Sequence, residues 1–235
     1  MSVELPESLL VLERGWLSAN SIVFFDGCDA TVVDSGYVTH AAQTVELVAH
    51  AVRGRCLKRL INTHSHSDHI GGNAALQARF GCEIIVPAGL HATIAEWDEN
   101  ALLLSPLGQQ AARFQHDSLI RAGDEIAMGG LGWQALAVPG HDMEALAFYN
   151  PERRILISGD ALWENGFGVI FSELLGEADG IAVTRATLEM LSRLAVDIVI
   201  PGHGSPFAGV DAAFARAFRR VDSFAADIDK LAWHA

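Results

Sequence analysis

Four apolar runs in this sequence stop at a histidine or an aspartate: LKRLINTHSHSDH (57–69), WQALAVPGHD (133–142), RILISGDA (154–161) and DIVIPGHG (197–204). A single histidine after a Pro-Gly turn is as often a turn residue as a ligand. Four such endings constrain the fold. Open α/β sheets gather their sites outside the carboxyl ends of their strands, so these runs read as strands whose ends share one edge.

The spacing inside the first run carries chemistry. In extended backbone, residues i and i+2 project to the same side, so His64 and His66 can reach one ion. Asp68 and His69 follow where the chain turns toward a helix, and that turn can aim them at a second point. Gly71 and Gly72 let the backbone pass close by. His64, His66 and His141 make a three-nitrogen set. Asp68, His69 and His203 make a second set, with Asp160 able to bridge them. Imidazole and carboxylate donors without cysteine suit Zn²⁺, and also Fe²⁺ or Mn²⁺. Two divalent ions with open positions imply catalysis rather than a closed structural site.

The rest of the chain alternates strand and helix, the mark of layered α/β architecture. A hairpin is expected over 21–36 around Asp26-Gly27, helices over 37–54 and 73–81, and strands over 57–64 and 82–87. The stretch 88–122 reads as mostly helical, an insertion or lid over a site. Strands follow over 124–128, 132–140, 144–151 and 153–160, then a helix (181–195), a strand (197–202) and one long final helix (210–234). No linker or repeat interrupts the chain, which reads as a single domain over 1–235.

Composition narrows the function. Half of the 235 residues are hydrophobic and 19% are charged, ample for a buried core. A net charge of −13 disfavours nucleic acid and anionic lipid. No apolar stretch approaches the roughly 20 residues a membrane helix needs, and the acidic N-terminus does not resemble a signal peptide. The cytoplasm is therefore the expected location and a small molecule the expected partner, with a homodimer left open. Cys28, Cys56 and Cys82 lack metal spacing and read as buried reduced thiols. His40, His50, His91, His116 and His234 stand outside the ligand pattern.

Taken together, THSHSDHIGG, PGHD, SGDALW and PGHGSP resemble the metallo-β-lactamase-fold hydrolase superfamily over residues 20 to 206. The resemblance implies a four-layer αββα sandwich with a dinuclear site at one edge, and places Asp34 of TVVDSG near the metals in a supporting position. A water held between two dications loses a proton near neutral pH, which suggests attack of metal-bound hydroxide on an ester or thioester carbonyl. Asp68 is expected to orient that nucleophile and relay a proton. GDALWENGFG resembles the glyoxalase II-like branch, where G-D-x-L-F stands and this chain has Trp163 in place of the phenylalanine. Trp163 and Phe167 are expected to wall the substrate pocket, while Arg219, Arg220 and Lys230 read as a solvated helix face. A lactonase or β-lactamase is an alternative, although an aspartate at the bridging position argues against the latter. A mononuclear iron oxygenase of the persulfide dioxygenase type is another.

Overall fold

The computed structural model describes residues 3–176 and 179–232. The first sheet is built from β1 (Leu9–Leu12), β2 (Ser21–Asp26), β3 (Asp29–Val33), β4 (Cys56–Ile61), β5 (Glu83–Pro87) and β6 (Ser118–Ile120) in that spatial order. Its first three strands pair antiparallel and the rest parallel. Crossovers between the parallel strands carry α1 (Ala41–Val52), α2 (Ser67–Ile70), α3 (Asn73–Phe80), α4 (His91–Glu96) and α5 (Leu104–Leu107).

The second sheet contains β7 (Glu125–Met128), β8 (Leu131–Ala137), β9 (Leu146–Asn150), β10 (Ile155–Gly159) and β11 (Ile198–Pro201), with β11 at the opposite edge from β7. Between β10 and β11 lie α6 (Phe171–Leu174) and α7 (Gly180–Ser192), and α8 (Val210–Ala226) and α9 (Asp229–Ala232) close the described chain.

Strand alternation builds the layers. Along β4, Leu60 faces the outer helices while Ile61 faces the second sheet, and Ile84 and Ile85 divide likewise on β5. On β10, Ile155 and Ile157 point into the seam and Leu156 toward α7 and α8. The seam itself is filled by Phe24, Trp133 and Phe148, all fully buried, with Phe24 and Trp133 edge to face at 5.4 Å. The expected four-layer αββα sandwich is thus present, since both faces of both sheets need covering.

Several local expectations change. The 88–122 stretch is not helical throughout: β6 pairs in parallel with β5 and completes the first sheet. The turn joining β2 and β3 is Gly27-Cys28, because Asp26 and Asp29 already pair. Cys28 and Cys56 are exposed, and only Cys82 is buried. The final helix breaks at Asp227, whose backbone is extended (φ −157°). The break turns α9 back so that Leu231 packs into the outer core. The end of that expected helix, with His234, lies outside the described residues.

The two glycines after the histidine cluster do provide clearance. Gly71 has ordinary helical φ, but an added Cβ would overlap Val38 N and lie 2.6 Å from Tyr37 C and 2.7 Å from Ser67 O. All three are backbone atoms that cannot swing aside. Gly71→Ala is therefore expected to cost about 1–3 kcal/mol of unfolding free energy, as overpacked interiors do. Denaturant melts of the two proteins check this, and equal stability would contradict the close approach.

Candidate metal centre

Every strand expected to end near the site does so at one edge. Asp34 follows β3, His64 and His66 follow β4, His141 follows β8, Asp160 follows β10 and His203 follows β11. Among the described residues, two sets of side chains converge closely enough to hold an ion: His64, His66 and His141, and Asp68, His69, Asp160 and His203. Within each set the donor atoms lie within 4.8 Å of one another.

The first set is nitrogen only. His66 Nδ1 faces His141 Nε2 at 2.7 Å, and the His64 and His66 rings meet edge to face at 4.7 Å. His141 Nδ1 is engaged by the Val169 carbonyl at 2.6 Å, which fixes the ring and leaves Nε2 for the cluster. His64 Nε2 is buried and has no hydrogen-bond partner. Burying an unpaired polar atom is costly, and a bound cation would satisfy this one.

The second set mixes nitrogen and oxygen. His203 Nε2 lies 2.9 Å from Asp68 Oδ2, and His69 Nε2 lies 3.4 Å from Asp160 Oδ1. Asp160 faces both sets, because its Oδ2 is 3.4 Å from His141 Nε2 and 3.7 Å from His203 Nε2. The adjacent strand end leaves room for it only because residue 202 is glycine, where a Cβ would overlap Asp160 Oδ1.

Asp34 supports the second set from behind. Its Oδ2 accepts from His69 Nδ1 and from Thr63 Oγ1, each at 2.8 Å, while Oδ1 accepts from Thr63 N at 2.9 Å. Asp34 itself holds a positive φ of 57°. Behind it, Ser35 N donates to the His69 carbonyl at 2.8 Å, and Ser35, Asn73 and Asn62 form a buried hydrogen-bonded chain. The turn carrying four donors is therefore held on several sides.

The two sets differ electrostatically. Burial holds His64 well below its usual range, with His69, His66 and His141 adding to the effect. Burial also brings His66 down to about 4 against the pull of Asp68, and brings His141 to about 4 with help from His66. In the second set burial is opposed and outweighed. His69 sits well above the histidine range because of Asp34, Asp160 and Asp68, and His203 is raised chiefly by Asp160 and Asp68. Conversely, His69 and His203 hold Asp68 at about 2 and Asp160 well below the carboxylate range, although burial pushes both up.

The expected pocket residues separate. Trp163 borders the second set, its ring 5.2 Å from that of His203. Phe167 does not wall a pocket: it is fully buried in the outer core, 6.2 Å from Phe224 and beneath the Arg220 guanidinium. Arg220 thus belongs to the packing, whereas Arg219 is exposed as expected. Phe171 also borders the first set, its ring meeting those of His66 at 5.1 Å and His141 at 5.5 Å. Nothing in GVIFSELL marks it, since its contact depends on the loop path after Asp160. His91 and His116, apart from the centre, pair with each other at 2.8 Å.

Residues 14–203 match the family description "Metallo-beta-lactamase superfamily". This chain belongs to that superfamily. Among curated members of the metallo-beta-lactamase superfamily, it is 28% identical to a hydroxyacylglutathione hydrolase from Rhodospirillum rubrum over 169 residues, 72% of this chain and 58% of that one. The hydroxyacylglutathione hydrolase of Hyphomonas neptunium is 30% identical over 115 residues, 49% of this chain and 38% of the relative. The chain therefore spans less than two thirds of the curated relatives it matches. Among solved structures, the native FEZ-1 metallo-beta-lactamase from Legionella gormanii superposes with a TM-score of 0.75 at 12% identity, covering 95% of this chain and 94% of that one. A beta-lactamase domain protein from Burkholderia ambifaria gives 0.74 at 24% identity, covering 94% and 75%. At such identities these likenesses concern the fold.

Proposed function

We propose that this superfamily member is a metal-dependent hydrolase that holds two divalent ions and cleaves an ester or thioester of a small molecule. The observation that carries this reading is Asp160, whose Oδ2 faces a nitrogen of one donor set and whose Oδ1 faces a nitrogen of the other. His64, His66 and His141 would hold one ion, Asp68, His69 and His203 the second, and Asp160 both. Zn²⁺ suits these donors best, with Fe²⁺ or Mn²⁺ also accommodated. Bound dications supply a water of lowered pKa and polarise the carbonyl under attack.

The protein's own groups do the rest. Asp68 is ionised at neutral pH and has a partly exposed carboxylate 2.9 Å from His203, so it can accept a hydrogen bond from a water and orient it. Phe171 lies against the His66 and His141 rings and gives that edge of the centre an apolar wall. A lid formed by the part of the 88–122 segment before β6 is supported by Gln109, whose Oε1 accepts from Ser67 Oγ at 3.1 Å beside the ligand turn. The name of the curated relatives denotes hydrolysis of an acyl group carried by glutathione, which supports a thioester substrate.

Metal quantification on freshly purified protein, followed by a panel of thioesters, lactones and β-lactams, tests the reading. Two ions per chain and turnover of a thioester or ester are expected. Absence of any transition metal would sink it, and one iron with oxygen uptake would point to oxygenase chemistry instead.

The unequal protonation of the two sets adds a pH prediction. Burial holds His64, His66 and His141 below the usual histidine range, so at pH 7 the first set is neutral and binds without displacing protons. His69 and His203 are raised, so protons compete for the second set through the neutral range. Lowering the pH from the alkaline side should release the second-set ion before the first. Equilibrium dialysis across pH with metal analysis checks the order, and simultaneous loss of both ions would contradict it.

A further inference from the structure

We infer that Trp163 is a positioning residue for the second donor set, acting through Asp160 and His203; this rests on the two-ion reading above. Its indole Nε1–H donates to Asp160 Oδ1 at 3.2 Å, the same oxygen that faces His69 Nε2. An indole can only donate, so this contact has one polarity and requires Asp160 as the acceptor. It pins the carboxylate with Oδ1 toward the second set and leaves Oδ2 toward His141. The same ring meets His203 edge to face at 5.2 Å and 71°, so one side chain braces two donors of one set.

The backbone that carries the indole is held in a tight turn. Trp163 and Gly166 exchange backbone hydrogen bonds, Trp163 N to Gly166 O at 2.7 Å and the reverse at 3.4 Å. Helix α8 props this tight turn from outside. Arg216 Nε donates to the Glu164 carbonyl at 2.7 Å, and the Arg220 guanidinium lies over Phe167 and fills the space a side chain at Gly166 would need. A phenylalanine at 163, as in the G-D-x-L-F pattern, would keep the ring and lose the N–H. The first donor set makes no direct contact with Trp163 among the described residues, so the larger effect falls on the second ion, and the first feels it only through Asp160.

Trp163→Phe tests this directly. The metal-free full-length chain and the variant are titrated with Zn²⁺ against a chromophoric chelator to obtain both dissociation constants, and thermal midpoints of the metal-free proteins are compared. Partners that orient metal ligands are worth about 10–100-fold in affinity, so the variant should bind the second ion about that much more weakly. The first constant should weaken less than the second, and the midpoint should not change. Unaltered constants overturn the inference, as does equal weakening of both ions with a lowered midpoint, which would mark Trp163 as packing alone. A wild-type chain that takes up one ion or none overturns the two-ion reading, and the inference with it.

Discussion

Asp68→Asn is expected to lower turnover by roughly 10²–10⁴-fold, the usual contribution of a positioned acid or base. The side chain changes little in size, so the turn from His64 to Ile70 should keep its shape. What changes is charge. Asp68 is held ionised at about 2 by His69 and His203 despite its burial. The amide carries no charge, orients a water less strongly and is a poorer donor to a cation. The first ion, held by His64, His66 and His141, should remain. Activity assays beside metal analysis check the prediction: full turnover with full metal content would remove Asp68 from the mechanism.

Asp34→Ala should have the largest effect on stability. The carboxylate is buried and accepts three hydrogen bonds, from His69 Nδ1, Thr63 Oγ1 and Thr63 N. Removing it leaves those donors unpaired in the interior, where breaking a buried pair costs about 3–5 kcal/mol. Alanine also tolerates the positive φ poorly, whereas asparagine adopts it readily. His69 additionally loses the partner that sets its ring, so the second ion should bind about 10–100-fold more weakly. Denaturant melts of the metal-free protein and a metal titration measure the two effects separately. Asp34→Asn should retain more of both, and an Asp34→Ala protein as stable as wild type would contradict the buried bridge.

The candidate centre was largely legible in the sequence because its donors sit at strand ends, and strand ends are marked by apolar runs. His141 and His203 needed no knowledge of the path between them, only that both follow strands in sheets sharing an edge. What escaped notice depends on tertiary partners. Ser118–Ile120 is a three-residue strand in irregular surroundings, and only pairing with Val86 and its neighbours makes it one. Leu9–Leu12 pairs along β2 at the sheet edge, and nothing in LLVL announces that register. The break at Asp227 follows from Leu231 seeking the core, against good local helix formers. Phe167 and Phe171 are four residues apart, yet one enters the core and the other meets the histidines. Composition cannot distinguish them.

His64 and His66 come from the first sheet and His141 from the second; Asp68 and His69 come from the first, Asp160 and His203 from the second. Neither half of the chain carries a complete ligand set. A fragment ending before β7 would hold an imidazole cluster with no closing partner, and the complementary fragment would hold only the closers. The centre is therefore indivisible: it exists only once the two sheets have docked, and it cannot be passed on by either half as a module.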